Sequence, residues 1–90
     1  MRVTEQEIEQ ARNADLVEIV GQHIPLKRSG KGYKAKCPFH NEKSPSFTLF
    51  NKGGFWKYHC FGCGEGGNVI GFVMAYKNMR FPEAVKHLIK

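Results

Sequence analysis

The sequence has no apolar run approaching about 18 residues, so it predicts no membrane-spanning helix. Its start, MRVTEQEIEQ, is polar and acidic and does not read as a secretory signal. Its three cysteines are an odd number and cannot all pair in internal disulfides. These absences predict a cytoplasmic chain with reduced thiols, where clustered cysteines more often bind metal than one another. Serines are few, acidic residues are nearly missing from the middle third, and no base–nucleophile pair is visible. The chain by itself is therefore expected not to be an enzyme. Internal repeats and low-complexity tracts are also missing.

A length of 90 residues predicts one small domain, 1–90. Such a chain buries only roughly 60% of its unfolded surface, against about 1–2 kcal/mol of backbone entropy for each ordered residue. Domains near this limit often add a staple. The net charge of +6 is unevenly spread. Residues 1–20 carry −3, residues 27–57 carry +7, and residues 65–90 carry +2. A basic block of this kind points to a polyanionic partner, although a solvated lysine-rich surface would give the same composition.

Local signals predict an α+β layout: short helices at both ends, over 1–21 and 67–90, around a small antiparallel sheet within 22–66. Thr4 and Glu7 stand at capping-box spacing. Asp15 is placed to cap a second helix that stops at Gly21. The segments YKAKC, SFTLF and FWKYHC are short, aromatic and partly alternating, with turn signals SGKG, NEKSP and NKGG between the elements. Asn68 and Pro82 mark the starts of two C-terminal helices.

The strongest signal is C-x-x-H at Cys37 and His40, then 19 residues, then C-x-x-C at Cys60 and Cys63. Each short pair can turn two side chains onto one ion, and the intervening residues suffice for an outgoing and a returning strand. Three thiolates and one imidazole suit a single tetrahedral, structural Zn²⁺. Gly62 and Gly64 let the backbone fold close enough for N–H groups to donate to sulfur. His59, next to Cys60 on the same strand, should point away from the ion.

Three catalytic or cofactor readings of the same residues fail. His40–Glu42 followed by Cys60–Cys63 mimics a zinc deaminase, but Cys37 fills the position such an enzyme leaves open for water. Gly62, Gly64 and Gly67 spell a dinucleotide fingerprint, yet the motif contains the ligand Cys63 and Glu83 falls in a helical pattern. A redox role for Cys60 and Cys63 competes with metal capture by Cys37 and His40.

With the ion enclosed, function is expected on the sheet surface. Three thiolates and one zinc dication sum to −1, which barely reduces the charge of the middle third. Lysines meet phosphates, and exposed aromatics stack on unpaired bases for about 1–3 kcal/mol each. The candidates are Arg28, Lys31, Lys34, Lys36, Lys43, Lys52 and Lys57 for phosphates, with Phe50 and Phe61 for stacking. Phe47, Leu49, Trp56 and Tyr58 are expected in the core.

The stretches CPFHNEKSPSF and YHCFGCGEGGNVIGFVM, with IPLKRSGKGYKAKCPFH upstream, resemble the N-terminal zinc-binding domain of bacterial replicative DNA primases whose ligands run Cys, His, Cys, Cys. The resemblance covers essentially the whole chain. It implies a zinc ribbon on an antiparallel sheet with flanking helices, and the ligands Cys37, His40, Cys60 and Cys63. It also implies that the domain binds single-stranded DNA template and helps select where RNA primers start. Its implied partners are a separate RNA polymerase domain, in cis or in trans, and the replicative helicase through other regions, all at the bacterial replication fork. A zinc ribbon that docks onto a replication protein without touching DNA is the alternative.

Overall fold

The computed structural model describes residues 2–39 and 46–90. Thr4 opens helix α1 (Glu5–Arg12) with a complete capping box, its hydroxyl accepting from the Glu7 N–H and the Glu7 carboxylate from the Thr4 N–H. The Asp15 carboxylate likewise accepts from the Glu18 N–H to start α2 (Leu16–Gly21). Helix α2 ends at Gly21, the stop expected from the sequence. Gln22 caps the helix in right-handed conformation, and a Cβ at Gly21 would make only ordinary contact, 3.6 Å from Leu26 Cδ1.

Five strands follow, among the described residues: β1 (Lys27–Ser29), β2 (Gly32–Ala35), β3 (Phe47–Lys52), β4 (Phe55–Cys60) and β5 (Gly66–Gly67). They pair antiparallel with sequence neighbours in the order β1-β2-β3-β4-β5, a simple meander. Two of these strands carry no sequence pattern of their own. β1 is the charged tripeptide KRS, held to β2 across a turn in which Gly30 takes a φ of 58°. β5 is two glycines that pair with Tyr58 and His59.

The meander ends in α3 (Val69–Lys77), where the Asn68 side chain accepts from the Gly71 N–H at 3.0 Å. Asn78, in left-handed conformation, closes it, and α4 (Phe81–Leu88) begins with Pro82 in its first turn. The helices collect on one side of the sheet. α3 lies against β4 and β5, α2 against β4, and α1 against α3 and α4. Lys86 of α4 pairs with Glu7 of α1, and this partner holds the Glu7 carboxyl below its ordinary value.

Cross-strand partners share a face, so the register divides the side chains cleanly. Ala35, Phe47, Leu49, Tyr58 and Cys60 face the helices and are buried. Trp56 shares that side but is only half-buried, because it lies towards the hairpin end, opposite Asn51. The centre of the core is aromatic. Phe47, Tyr58 and Phe72 pack with ring centroids 5.6–6.3 Å apart, and the half-buried Phe39 reaches each of them at 5.9–6.1 Å. Phe72 is 1% exposed and binds the helical layer to the sheet. Phe72→Ala should cost about 3–5 kcal/mol in urea denaturation of the zinc-loaded protein. Phe55→Ala, which removes a ring 41% exposed and touched by the Arg12 guanidinium, should cost no more than about 1 kcal/mol.

Candidate metal centre

Chain geometry brings the sulfurs together from three directions. The pairs Ala35↔Phe47 and Phe47↔Cys60 put the end of β2 level with the end of β4 across β3. Cys37 lies just beyond β2, and Cys60 is the last residue of β4. The chain then folds back on itself. The Gly64 N–H donates to the Cys60 carbonyl at 2.8 Å, the Cys60 N–H to the Glu65 carbonyl at 2.8 Å, and the Phe61 N–H to the Ser46 carbonyl at 3.0 Å. Gly64 holds a φ of 81°, which an L side chain rarely adopts, and this turn returns Cys63 to the other two thiols.

The sulfurs of Cys37, Cys60 and Cys63 all lie within 4.8 Å of one another, and the Cys37–Cys63 separation is 3.8 Å. Two ligands on a tetrahedral ion with Zn–S of roughly 2.3 Å stand about 3.8 Å apart. A disulfide would need about 2.0 Å. The three sulfurs are therefore spaced as ligands of one zinc ion and are not joined in a disulfide. Around the thiols, the Phe39 N–H donates to Cys37 Sγ and the Ser46 hydroxyl lies against Cys60 Sγ, each at 3.4 Å. Sulfur partners of this kind orient ligands and neutralise part of their charge.

The buried thiols differ. Burial pushes Cys37 up to about 12, helped by its neighbours Cys60 and Cys63 and opposed by the Phe39 N–H. Burial also raises Cys60, but the Ser46 hydroxyl, the Cys63 N–H, the Cys37 thiol and the Gly62 N–H outweigh it and bring the group down to about 7. Cys60 thus gives up its proton first, and its charge helps to retain the one on Cys37. A dication supplies the positive charge that this low-dielectric site lacks. Tyr58, behind the site, is pushed up to about 12 by burial and then by Glu65, Cys37 and Cys63, so it stays a neutral phenol.

His40 and Lys43 lie outside the described residues. His59 pairs with Thr48 on the face away from the helices, its ring 4.6 Å from Phe61, and it takes no part in the sulfur group. That same open face carries Lys34, Phe50, Lys52 and Lys57. Lys36 is exposed just beyond β2, Lys31 sits in the β1–β2 turn, and Phe61 projects beside the metal site at 74% exposure. Arg28 does not join this group: it pairs with Tyr33 on the helix-bearing side and lies 5.6 Å over that ring. Three further residues of the open face are not among the contact candidates read from the sequence. Lys27 is brought opposite Lys34 by β1, Phe55 opposite Lys52, and Thr48 opposite Lys34. Alternation along β3 and β4 carried the signal for Thr48 and Phe55; Lys27 depended on a strand with no pattern. Ser46, the partner of Cys60, had no signal beyond its place just before β3.

A family model for the CHC2 zinc finger matches residues 3–90. The chain is 54% identical to a DNA primase of Pseudomonas aeruginosa over 76 residues, covering 84% of this chain and 11% of that protein. It is 46% identical to a DNA primase of Listeria monocytogenes over 86 residues, covering 94% of the chain and 13% of that protein. Among solved structures, the Aquifex aeolicus primase, comprising zinc-binding and RNA polymerase domains, superposes with a TM-score of 0.83 at 32% identity. That match covers 96% of this chain and 21% of the other. The chain thus spans only a small part of the curated relatives it matches.

Metal entry must displace the proton that Cys37 holds up to about 12, so zinc affinity should rise between about pH 6 and pH 8. Calorimetry in buffers of different ionisation enthalpy should show net proton release; a pH-independent affinity would contradict the thiol assignment. A structural zinc contributes roughly 10–16 kcal/mol in small finger peptides, comparable to the whole stability of a domain. Chelation should therefore abolish the near-UV dichroism of the aromatic core.

Proposed function

The chain belongs to the CHC2 zinc-finger family and is the zinc-binding domain of a DNA primase, and from that premise we propose that it holds single-stranded DNA template across the open face of its sheet and helps choose where primers begin. The observation that carries this reading is a segregation of charge and aromatic surface. The five strands contain no aspartate or glutamate. Their open face bears Lys27, Lys34, Lys52 and Lys57, with Phe50 and Phe55 at 38% and 41% exposure. This is the combination that binds unpaired strands without sequence preference: lysines along the phosphates and rings under the bases. Phe61, at the metal turn, extends the line of rings, while Lys31 and Lys36 extend the cationic border.

In this reading one zinc ion is held by Cys37, Cys60 and Cys63 with His40 as the fourth ligand, completing a closed and purely structural set. The ion does no chemistry on the substrate. It fixes the turn after β4 against the end of β2, and so fixes the curvature and register of the face that receives the strand. Primer synthesis belongs to an RNA polymerase domain of the kind that accompanies the zinc-binding domain in the Aquifex aeolicus protein, acting in cis or in trans, at a cytoplasmic replication fork. Contact with the replicative helicase falls to other parts of such a primase. Among the described residues no helix is long and apolar enough to cross a membrane.

The test is an anisotropy titration of labelled single-stranded oligonucleotide with zinc-loaded protein. With about four phosphates neutralised, log K should fall against log salt with a slope of about −3. Lys34→Glu and Lys57→Glu should each weaken binding severalfold, whereas Lys77→Glu at the end of α3 should change it little. Failure to bind at low salt would remove the template reading and leave a domain that acts by docking to protein.

A further inference from the structure

At the far edge of the sheet the surface changes character. β1 is the end strand and pairs only with β2, so its outer edge meets no other strand among the described residues. Beside it runs a groove of about 640 Å³. The floor is aliphatic: Ile24, Pro25 and Leu26 lead from α2 into β1, and Ile24 and Leu26 pack against the core. The Ile24 N–H donates to the Val20 carbonyl at 3.0 Å and ties this floor to the end of α2. Lys27, Arg28, Lys34 and Lys36 border the groove, and all are exposed. No aspartate or glutamate stands among the described residues that line it.

Such a lining makes two demands at once. Four neighbouring cations call for negative charge. An aliphatic floor calls for an apolar group, and a run of phosphates alone would leave that floor in water. No aromatic ring is among the described lining residues, so an unpaired base finds no stacking partner there. A second copy of the domain would bring its own Lys27 and Arg28 to the same edge, and charges of this kind keep strand edges apart. An extended acidic peptide with an aliphatic side chain meets every condition. Its backbone follows the unpaired edge of β1, its carboxylates reach the cationic rim, and its apolar side chain enters the groove.

We propose that the β1 groove docks an acidic, extended segment of a partner protein, anchored by one aliphatic side chain. Arg28 gives this site a contact of its own. It lies on the helix-bearing side, off the face proposed for template, whereas Lys27 and Lys34 belong to both surfaces.

Zinc-loaded protein is titrated at low salt with a labelled nonapeptide of aspartate and serine that has leucine at its centre. Two control peptides replace the leucine by glycine, or every aspartate by asparagine. The leucine peptide should bind, the glycine peptide about tenfold more weakly, and the asparagine peptide not measurably. Arg28→Glu should weaken the leucine peptide severalfold and leave oligo-dT binding at the wild-type level. Ile24→Ser should bind the leucine and glycine peptides alike; if that variant loses zinc, Pro25→Glu, at an exposed position of the floor, replaces it and should weaken the leucine peptide severalfold. Equal binding of the leucine and glycine peptides by wild type would mean attraction by charge alone and overturns the groove, as does undiminished binding by Arg28→Glu. Failure of the leucine peptide to bind overturns it too, and a fall in oligo-dT affinity in Arg28→Glu would then give this edge to nucleic acid.

Discussion

Everything in this small domain depends on holding the end of β4 against the end of β2. Three sulfurs meet there within 4.8 Å of one another, and the two strands reach them from either side of β3. Without a cation, thiols gathered in a partly buried site oppose one another's ionisation, which is why burial and neighbouring sulfur keep the proton on Cys37. With a dication the opposition becomes attraction, and the junction turns from the least favourable part of the fold into its strongest link. The residues around it are placed for that role. Phe39 follows Cys37 into the aromatic cluster, Phe47 pairs with Cys60, and Phe72 of α3 closes the cluster from the helical side.

The same junction explains how a chain of this size presents a large polar face. A sheet with one side buried must cover that side, and here four short helices do so with a core dominated by aromatic and β-branched residues. The other side stays open. Acidic residues are concentrated in the helices, including Glu5, Glu7 and Glu9 of α1, and are absent from the strands. Like charges on one sheet face repel, so a row of lysines costs stability. The metal link gives the fold the reserve to tolerate that cost, and the proposed template offers its relief through phosphate pairing.

Much of this was legible in the residues. The capping devices at Thr4, Asp15 and Asn68 act through a side chain and the next turn of backbone, so local sequence suffices to place them. The alternation of β3 and β4 correctly sorts Phe47, Leu49 and Tyr58 from Thr48, Lys57 and His59. Strand β1 was hidden because three polar residues form a strand only by virtue of the partner that β2 supplies. β5 was hidden because two glycines have no side chains with which to signal. Trp56 read as core but stays half-buried, since its depth depends on how far the helical layer extends towards the hairpin. Arg28 read as one of a phosphate-binding set, yet the register turns it to the opposite side and onto Tyr33.

The sequence by itself determined the kinds of ligand, their paired spacing, the excess of positive charge in the middle third and the side on which neighbouring strand residues fall relative to one another. These are properties of covalent order and of the two-residue period of a strand, and they need no knowledge of distant contacts. Tertiary structure alone decided how far the helices cover Trp56 and which lysines stand together on the face left open. Those outcomes follow from register and packing between segments far apart in the chain, which no local pattern encodes.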